Sequence, residues 1–426
     1  PAGATITNNG TQTGFGRTGA VDWQTSIKTG DFTAVSGEGY FINTTSGTIT
    51  MTLPASPSVG DIVAFKDYAG TFDSNNLTIN RNGSNIVGGT DNPLISVEGQ
   101  AGTLVYGDAT QGWQIVEAAT DADLPRPSFI TATGGTITTS GNCKIHTFTG
   151  PGTFCVSSIA SPSANNQVSY IVVAGGGGSA RVTPSSPAAG SGGGGAGGFR
   201  EDKSPVTPYT ASPLEGAGSI TVTATAFPIT VGGGGGTGPG GNGATGDSGS
   251  NSVFSTITSA GGGGGANFPG NGAAGGSGGA GRGFPSSGGS GNTPSVSPAQ
   301  GKDGGNGADV GTGGGGGGAG AAGTSGTPSC TTLAAGPGGA GVTSSINGTP
   351  TARAGGGGGS AGPGASPSSG GTGGTGGGGN GGCASGAGQN GTANTGGGGG
   401  GGQSTGTTVA GHNGGSGIVI IRYKFQ

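Results

Sequence analysis

Apolar positions fall in short runs with a period of two over residues 26–120. They include Gly39-Tyr40-Phe41-Ile42, Thr48-Ile49-Thr50-Met51-Thr52-Leu53, Asp61-Ile62-Val63-Ala64-Phe65, Thr103-Leu104-Val105-Tyr106 and Trp113-Gln114-Ile115-Val116. Such alternation predicts half-buried strands, and turn clusters such as Pro54-Ala55-Ser56-Pro57 and Asn82-Gly83-Ser84 separate them at the spacing of an all-β sandwich or barrel. The residues before this region, 1–25, carry no clear pattern and read as a connector. Asp121-Ala122-Asp123-Leu124-Pro125-Arg126-Pro127 holds two prolines that oppose helix and central strand alike, so 121–127 reads as a semi-rigid linker.

A second pattern follows. Thr136-Ile137-Thr138-Thr139, Cys143-Lys144-Ile145-His146-Thr147-Phe148, Thr153-Phe154-Cys155-Val156 and Tyr170-Ile171-Val172-Val173 predict a small β platform over 128–174. The turn Gly150-Pro151-Gly152 marks a hairpin between the second and third of these, with Cys143 and Cys155 as packing thiols on its arms. From 175 the pattern changes to glycine runs at 175–178, 192–195, 232–236, 261–265, 313–318, 355–359, 376–379 and 396–402. The final apolar run, Ile418-Val419-Ile420-Ile421, suits a strand buried on both faces and closes the reading as 418–426.

Composition decides what the runs can be. Glycine fills 114 of 426 positions, charged residues make up 8%, and the formal net charge is −4. No Gly-X-Y repeat is present, which excludes a collagen triple helix. A flexible linker is the ordinary reading of glycine-rich chain. Against it, apolar strands abut several runs, as Val172-Val173-Ala174 does before 175 and Pro228-Ile229-Thr230-Val231 before 232. If the closing strand pairs with Tyr170–Val173, both ends of 175–417 are pinned to one sheet, and the glycines must travel out and return. An extended threefold helix of the polyproline-II kind makes no internal hydrogen bonds, so its backbone must bond to neighbours, and only glycine permits that approach on all sides. The predicted class is therefore all-β with a polyglycine-II helix bundle over 175–417. The run 396–402 is the candidate for its most enclosed helix, and proline belongs at loops or outer edges.

Charge and motifs narrow the function. The basic residues are too sparse and scattered for nucleic-acid binding, and no apolar run approaches the ~20 residues of a membrane helix. The four cysteines lack zinc-type spacing, so no metal is expected. Cys330 and Cys383 lie between glycine runs and could form a disulfide. Gly-x-Gly-x-x-Gly matches arise from low complexity and imply no nucleotide or other cofactor. His146 reads as a strand residue, and Glu201-Asp202, flanked by Arg200 and Lys203, as a solvated run. No catalytic residue emerges, so an enzyme is not expected. Arg181, Phe268, Arg282, Phe284, Lys302, Asp303 and Arg353 interrupt the small polar residues between runs and are the candidate receptor contacts.

The ordered series YIVVAGGGG, GGGGAGGFR, ITVGGGGG, NSVFSTITSAGGGGG and GGSGIVIIRYKF resembles the glycine-rich domain of phage tail proteins over roughly residues 145–426. The architecture so implied is similar to the polyglycine-helix sandwich of receptor-binding adhesins on T-even-like phages. Trp23-Gln24-Thr25, Ile27 to Phe32 and Asp61 to Asp67 resemble a β-domain of marine-phage structural proteins. The resemblance implies a virion protein, a tail fibre or adhesin. Its partners would be other virion proteins and a host surface receptor, either a glycan or an outer-membrane protein, and 26–120 would form a homotrimer. The alternatives are a purely structural fibre, spacer or head-decoration protein, or a bacterial extracellular matrix protein.

Overall fold

The computed structural model describes residues 21–117, 128–182, 190–239, 243–308, 311–327, 333–362, 368–383, 387–404, 409 and 411–426. The chain divides into two compact units, Pro1–Ser128 and Phe129–Gln426. Regular structure is almost entirely β, and no described helix is long and apolar enough to cross a membrane.

In the first unit two sheets enclose one core containing Tyr40, Met51, Phe65, Phe72, Leu77, Leu104 and Trp113. Period-two alternation sends these side chains inward from both sheets. The connectivity differs from an antiparallel sandwich. Successive strands cross from one sheet to the other, so each sheet receives every second strand running the same way. Glu38–Ile42 thus pairs in parallel with Ile62–Asp67, and Ile49–Thr52 with Leu77–Asn80. Antiparallel pairing enters with Ala101–Asp108 and Gly112–Ile115. Asp22–Trp23, expected within a connector, adds a parallel edge to Glu38–Ile42. Buried Asp67 anchors the loop after its strand, since its carboxylate accepts the amides of Gly70, Thr71, Phe72 and Gly99 at 2.9–3.2 Å. Burial alone would raise its pKa, but those four amides together pull it below the usual carboxylate value.

In the second unit, Ile418–Lys424 lies between Cys143–Phe148 and Gln167–Val173, antiparallel to both. Val172 faces Val419 and Tyr170 faces Ile421, the pairing the two apolar runs predict. A second sheet, which includes Gly152–Ser158, Ala226–Thr230 and Ser252–Phe254, covers one face, and its Phe154 and Phe254 share a core with Tyr423 of the closing strand. Cys143–Phe148 and Gly152–Ser158 belong to different sheets, so the expected hairpin does not form: Gly150-Pro151 carries the chain across the core. Cys143 is buried, whereas Cys155 is exposed and does not pack. His146 is buried; its Nδ1–H donates to Gly134 O at 2.7 Å, leaving Nε2 to accept the Tyr423 hydroxyl at 3.1 Å.

The glycine-rich segments leave this platform and bond to one another. Along 191–198 the amides of Ser191, Gly194 and Gly197 donate to Gly402, Gly399 and Gly396; those of Gly192, Gly195 and Gly198 donate to Ala266, Gly263 and Ala260; those of Gly193 and Ala196 donate to Gly314 and Gly317, all at 2.8–3.1 Å. Every third amide faces the same neighbour. The carbonyls of this segment accept from 357–360, from 277–280 and from 174–177. The segment therefore has six neighbours, three it donates to and three it accepts from, and it is buried throughout. The run 396–402, expected to be enclosed, is buried in the same manner. Pro337 sits on an exposed edge, where its carbonyl accepts from Thr324 and its missing N–H leaves no donor unmet.

Candidate functional site

The end of the glycine-rich body away from the platform gathers four of the seven candidate contacts. The segment 190–199 runs from that end, where Gly190 bridges Gln403, to Phe199 paired with Val173. Beside Gly190 lie the turns holding Asn267-Phe268 and Arg282-Gly283-Phe284, since Ser191 bridges Asn267 and Gly270 bridges Arg282. Arg181 joins them through its carbonyl, which accepts Asn267 Nδ2 at 3.1 Å.

These side chains differ in what they can offer. Arg181 is exposed, and Phe284 is 67% exposed. Phe268 is half-buried, its ring laid against Gly283. A Cβ at Gly283 would come within 2.3 Å of that ring, and the residue holds φ +84°, so glycine is required there twice over. Arg282 corrects the sequence reading: it is 0% exposed, and its Nε donates to Gly190 O at 3.3 Å. Burial lowers its pKa to about 10, which leaves it charged at neutral pH. It holds loop ends together instead of facing a partner.

The other three candidates lie toward the platform. Lys302 and Asp303 are exposed; the Lys302 amide donates to Gly318 O, and Asp303 Oδ1 accepts Gly291 N–H at 2.7 Å. Arg353 is buried in the hairpin of Val342–Ser344 and Thr351–Arg353, so it too offers no guanidinium to solvent. Burial lowers its pKa, against which the charge of Glu201 acts. Glu201 is itself 0% exposed, with Oε2 accepting Ser212 N–H at 2.8 Å and Oε1 accepting Ser344 Oγ–H at 2.6 Å. The run Arg200 to Asp202 is thus a buried strand and not a solvated loop. Cys330, and with it the possible Cys330–Cys383 pairing, lies outside the described residues.

Gly283 and Asn267, which shape the turns, were not singled out by sequence; the only signal was the R-G-F-P order around Gly283. Among the described residues no group of three or more His, Cys, Asp and Glu is placed to hold a metal ion. A comparison with curated proteins finds no match. A model of the glycine-rich domain matches residues 147–424, which takes in the platform strand Cys143–Phe148 in part, the whole bonded glycine body and the closing strand. With that match over well more than half of its length, the chain belongs to the glycine-rich domain family.

Proposed function

We propose that this is a virion structural protein of a phage, a tail fibre or adhesin that attaches to the host cell surface through the turns at the far end of its glycine-rich body. In this reading the glycine segments are polyglycine-II helices. The three-residue rotation of amide donors along 191–198 is the observation that carries it, because a helix of three residues per turn presents every third N–H to the same side. A scaffold bonded backbone to backbone keeps its register whatever its turns contain, which leaves the turns free to vary as a recognition surface. Phe284, Phe268 and Arg181 would make the contact, since aromatic and arginine side chains dominate binding energy at interfaces. The host component would be a glycan or an outer-membrane protein, and the first unit would join other virion proteins as a homotrimer.

The test is adsorption of purified chain to host cells. Replacing Phe268 and Phe284 together by Ser is expected to abolish adsorption while the melting temperature stays within about 3 °C. Undiminished adsorption would refute the assignment to these turns. One observation favours a second reading: Lys302 and Asp303 lie exposed away from the gathered turns, as a spacer without a recognition surface would scatter them.

A further inference from the structure

A cavity of about 290 Å³ opens where the glycine-rich body meets the platform, lined by Arg200, Asn251, Thr256, Ile257, Thr258, Ala260, Pro294, Val296 and Gln300. Its walls are held from behind. Gln300 is buried, with Oε1 accepting Ala260 N–H and Nε2 donating to Pro294 O, both at 2.8 Å. Asn292 Oδ1 accepts the amides of Val296 and Gln300 at 3.1 and 3.2 Å, and its Nδ2 donates to Val296 O at 3.1 Å. The loop 292–300 is therefore pinned on one side of the opening, and the hairpin of Ser252–Phe254 and Ile257–Ser259 forms the other.

Arg200 supplies the charge. It is 7% exposed, and its Nη2 donates to Ala217 O at 3.1 Å and, at 3.5 Å, to Ser297 O. Its buried Nε has no hydrogen-bond partner among the described residues. The acid on the same face of the strand, Asp202, has its Oδ1 engaged by Gly218 N–H at 3.3 Å. A guanidinium that lines a cavity is met best by a carboxylate.

We propose that this cavity binds one carboxylate-bearing sugar residue, a uronate. The carboxylate accepts from the Arg200 guanidinium where it lines the cavity. Thr256, Thr258 and Asn251 face the hydroxyls, and Ile257, Pro294 and Val296 cover the apolar face of the ring. The volume lies at the low end of small-ligand sites, which suits a single monosaccharide. One lining cation matches a monoanion. Phosphate, with a charge of about −1.5 to −2, would be left partly uncompensated. The assignment is independent of the turns at the far end.

Titration calorimetry of the full chain with glucuronate is the test, with glucose and inorganic phosphate as controls. Glucuronate is expected to bind saturably with a millimolar Kd, and each control at least about tenfold more weakly. Thr258→Phe, an exposed change that fills the opening, should weaken glucuronate binding at least about tenfold with an unchanged Tm. Arg200→Gln should do the same; because Arg200 also ties two carbonyls, Thr258→Phe decides the matter if that variant unfolds. No saturable glucuronate binding, phosphate or glucose binding equal to it, or full binding by Thr258→Phe would each overturn the proposal. The Phe268/Phe284 double variant should retain glucuronate binding whether or not it loses adsorption.

Discussion

At Gly399 a single missing Cβ is a condition of the structure. A Cβ there would come within 2.2 Å of His412 O and 2.8 Å of Asn413 O, both main-chain atoms that cannot swing aside. At Gly233 a Cβ meets nothing within 4 Å. Overpacking costs about 1–3 kcal/mol and each stranded buried amide about as much again, so Gly399→Ala should lower the Tm by about 5–10 °C. Gly233→Ala should leave it within about 1 °C. Calorimetry of the two variants checks the pair, and equal melting temperatures would refute close packing at Gly399. His146 supplies a second prediction. Burial lowers its pKa from 6.5, with Lys144 adding to that, while its bond to Gly134 O opposes. The unfolded chain therefore binds a proton before the folded one does. Stability is full above the unfolded value, falls as pH drops through it, and stops falling below the folded value. Between about pH 7.5 and 5, Tm should decline less steeply in His146→Gln than in the parent.

At the scale of elements, the sequence pattern located strands better than it located their partners. Tyr170–Val173 and Ile418–Ile421 were legible as a pair because both runs are apolar on both faces, and only a central sheet position hides such a strand. The hairpin around Gly150-Pro151-Gly152 was misread because a turn signal marks a reversal of direction without saying whether the next strand joins the same sheet. Parallel pairing in the first unit was illegible for a related reason: alternation reports which face is buried, not what lies alongside. Buried charge was the blind spot at the candidate site. Arg282, Arg353 and Glu201 look solvated in sequence, since such residues seldom lie inside. Here main-chain groups supply much of their pairing, Gly190 O for Arg282 and Ser212 N–H for Glu201. A glycine-rich body exposes far more carbonyls and amides to its interior than an ordinary core, and no side-chain pattern announces that.

For the whole molecule, the prediction concerns assembly. The first unit carries exposed Trp23 and Tyr68, with the Phe41 ring 4.9 Å from the first and 6.5 Å from the second. Joined through Phe41, they form an aromatic surface of the kind that often pairs with a second copy. Light scattering of residues 1–127 at micromolar concentration should give a trimer. A monomer would refute self-assembly through this unit.

The rotation of amides by threes gives the segment 191–198 a frame, much as a coding sequence has one. Inserting one residue near Gly192 would turn every later amide by about 120°, so that donors meant for 260–266 would face another neighbour. Inserting three would restore the original facing and displace only the turn beyond. Length variation among such chains should therefore accumulate in multiples of three within segments and without restriction in the turns. Gain and loss of residues, more than substitution, is then the route by which a body of this kind lengthens, and its reach can change in steps of three residues.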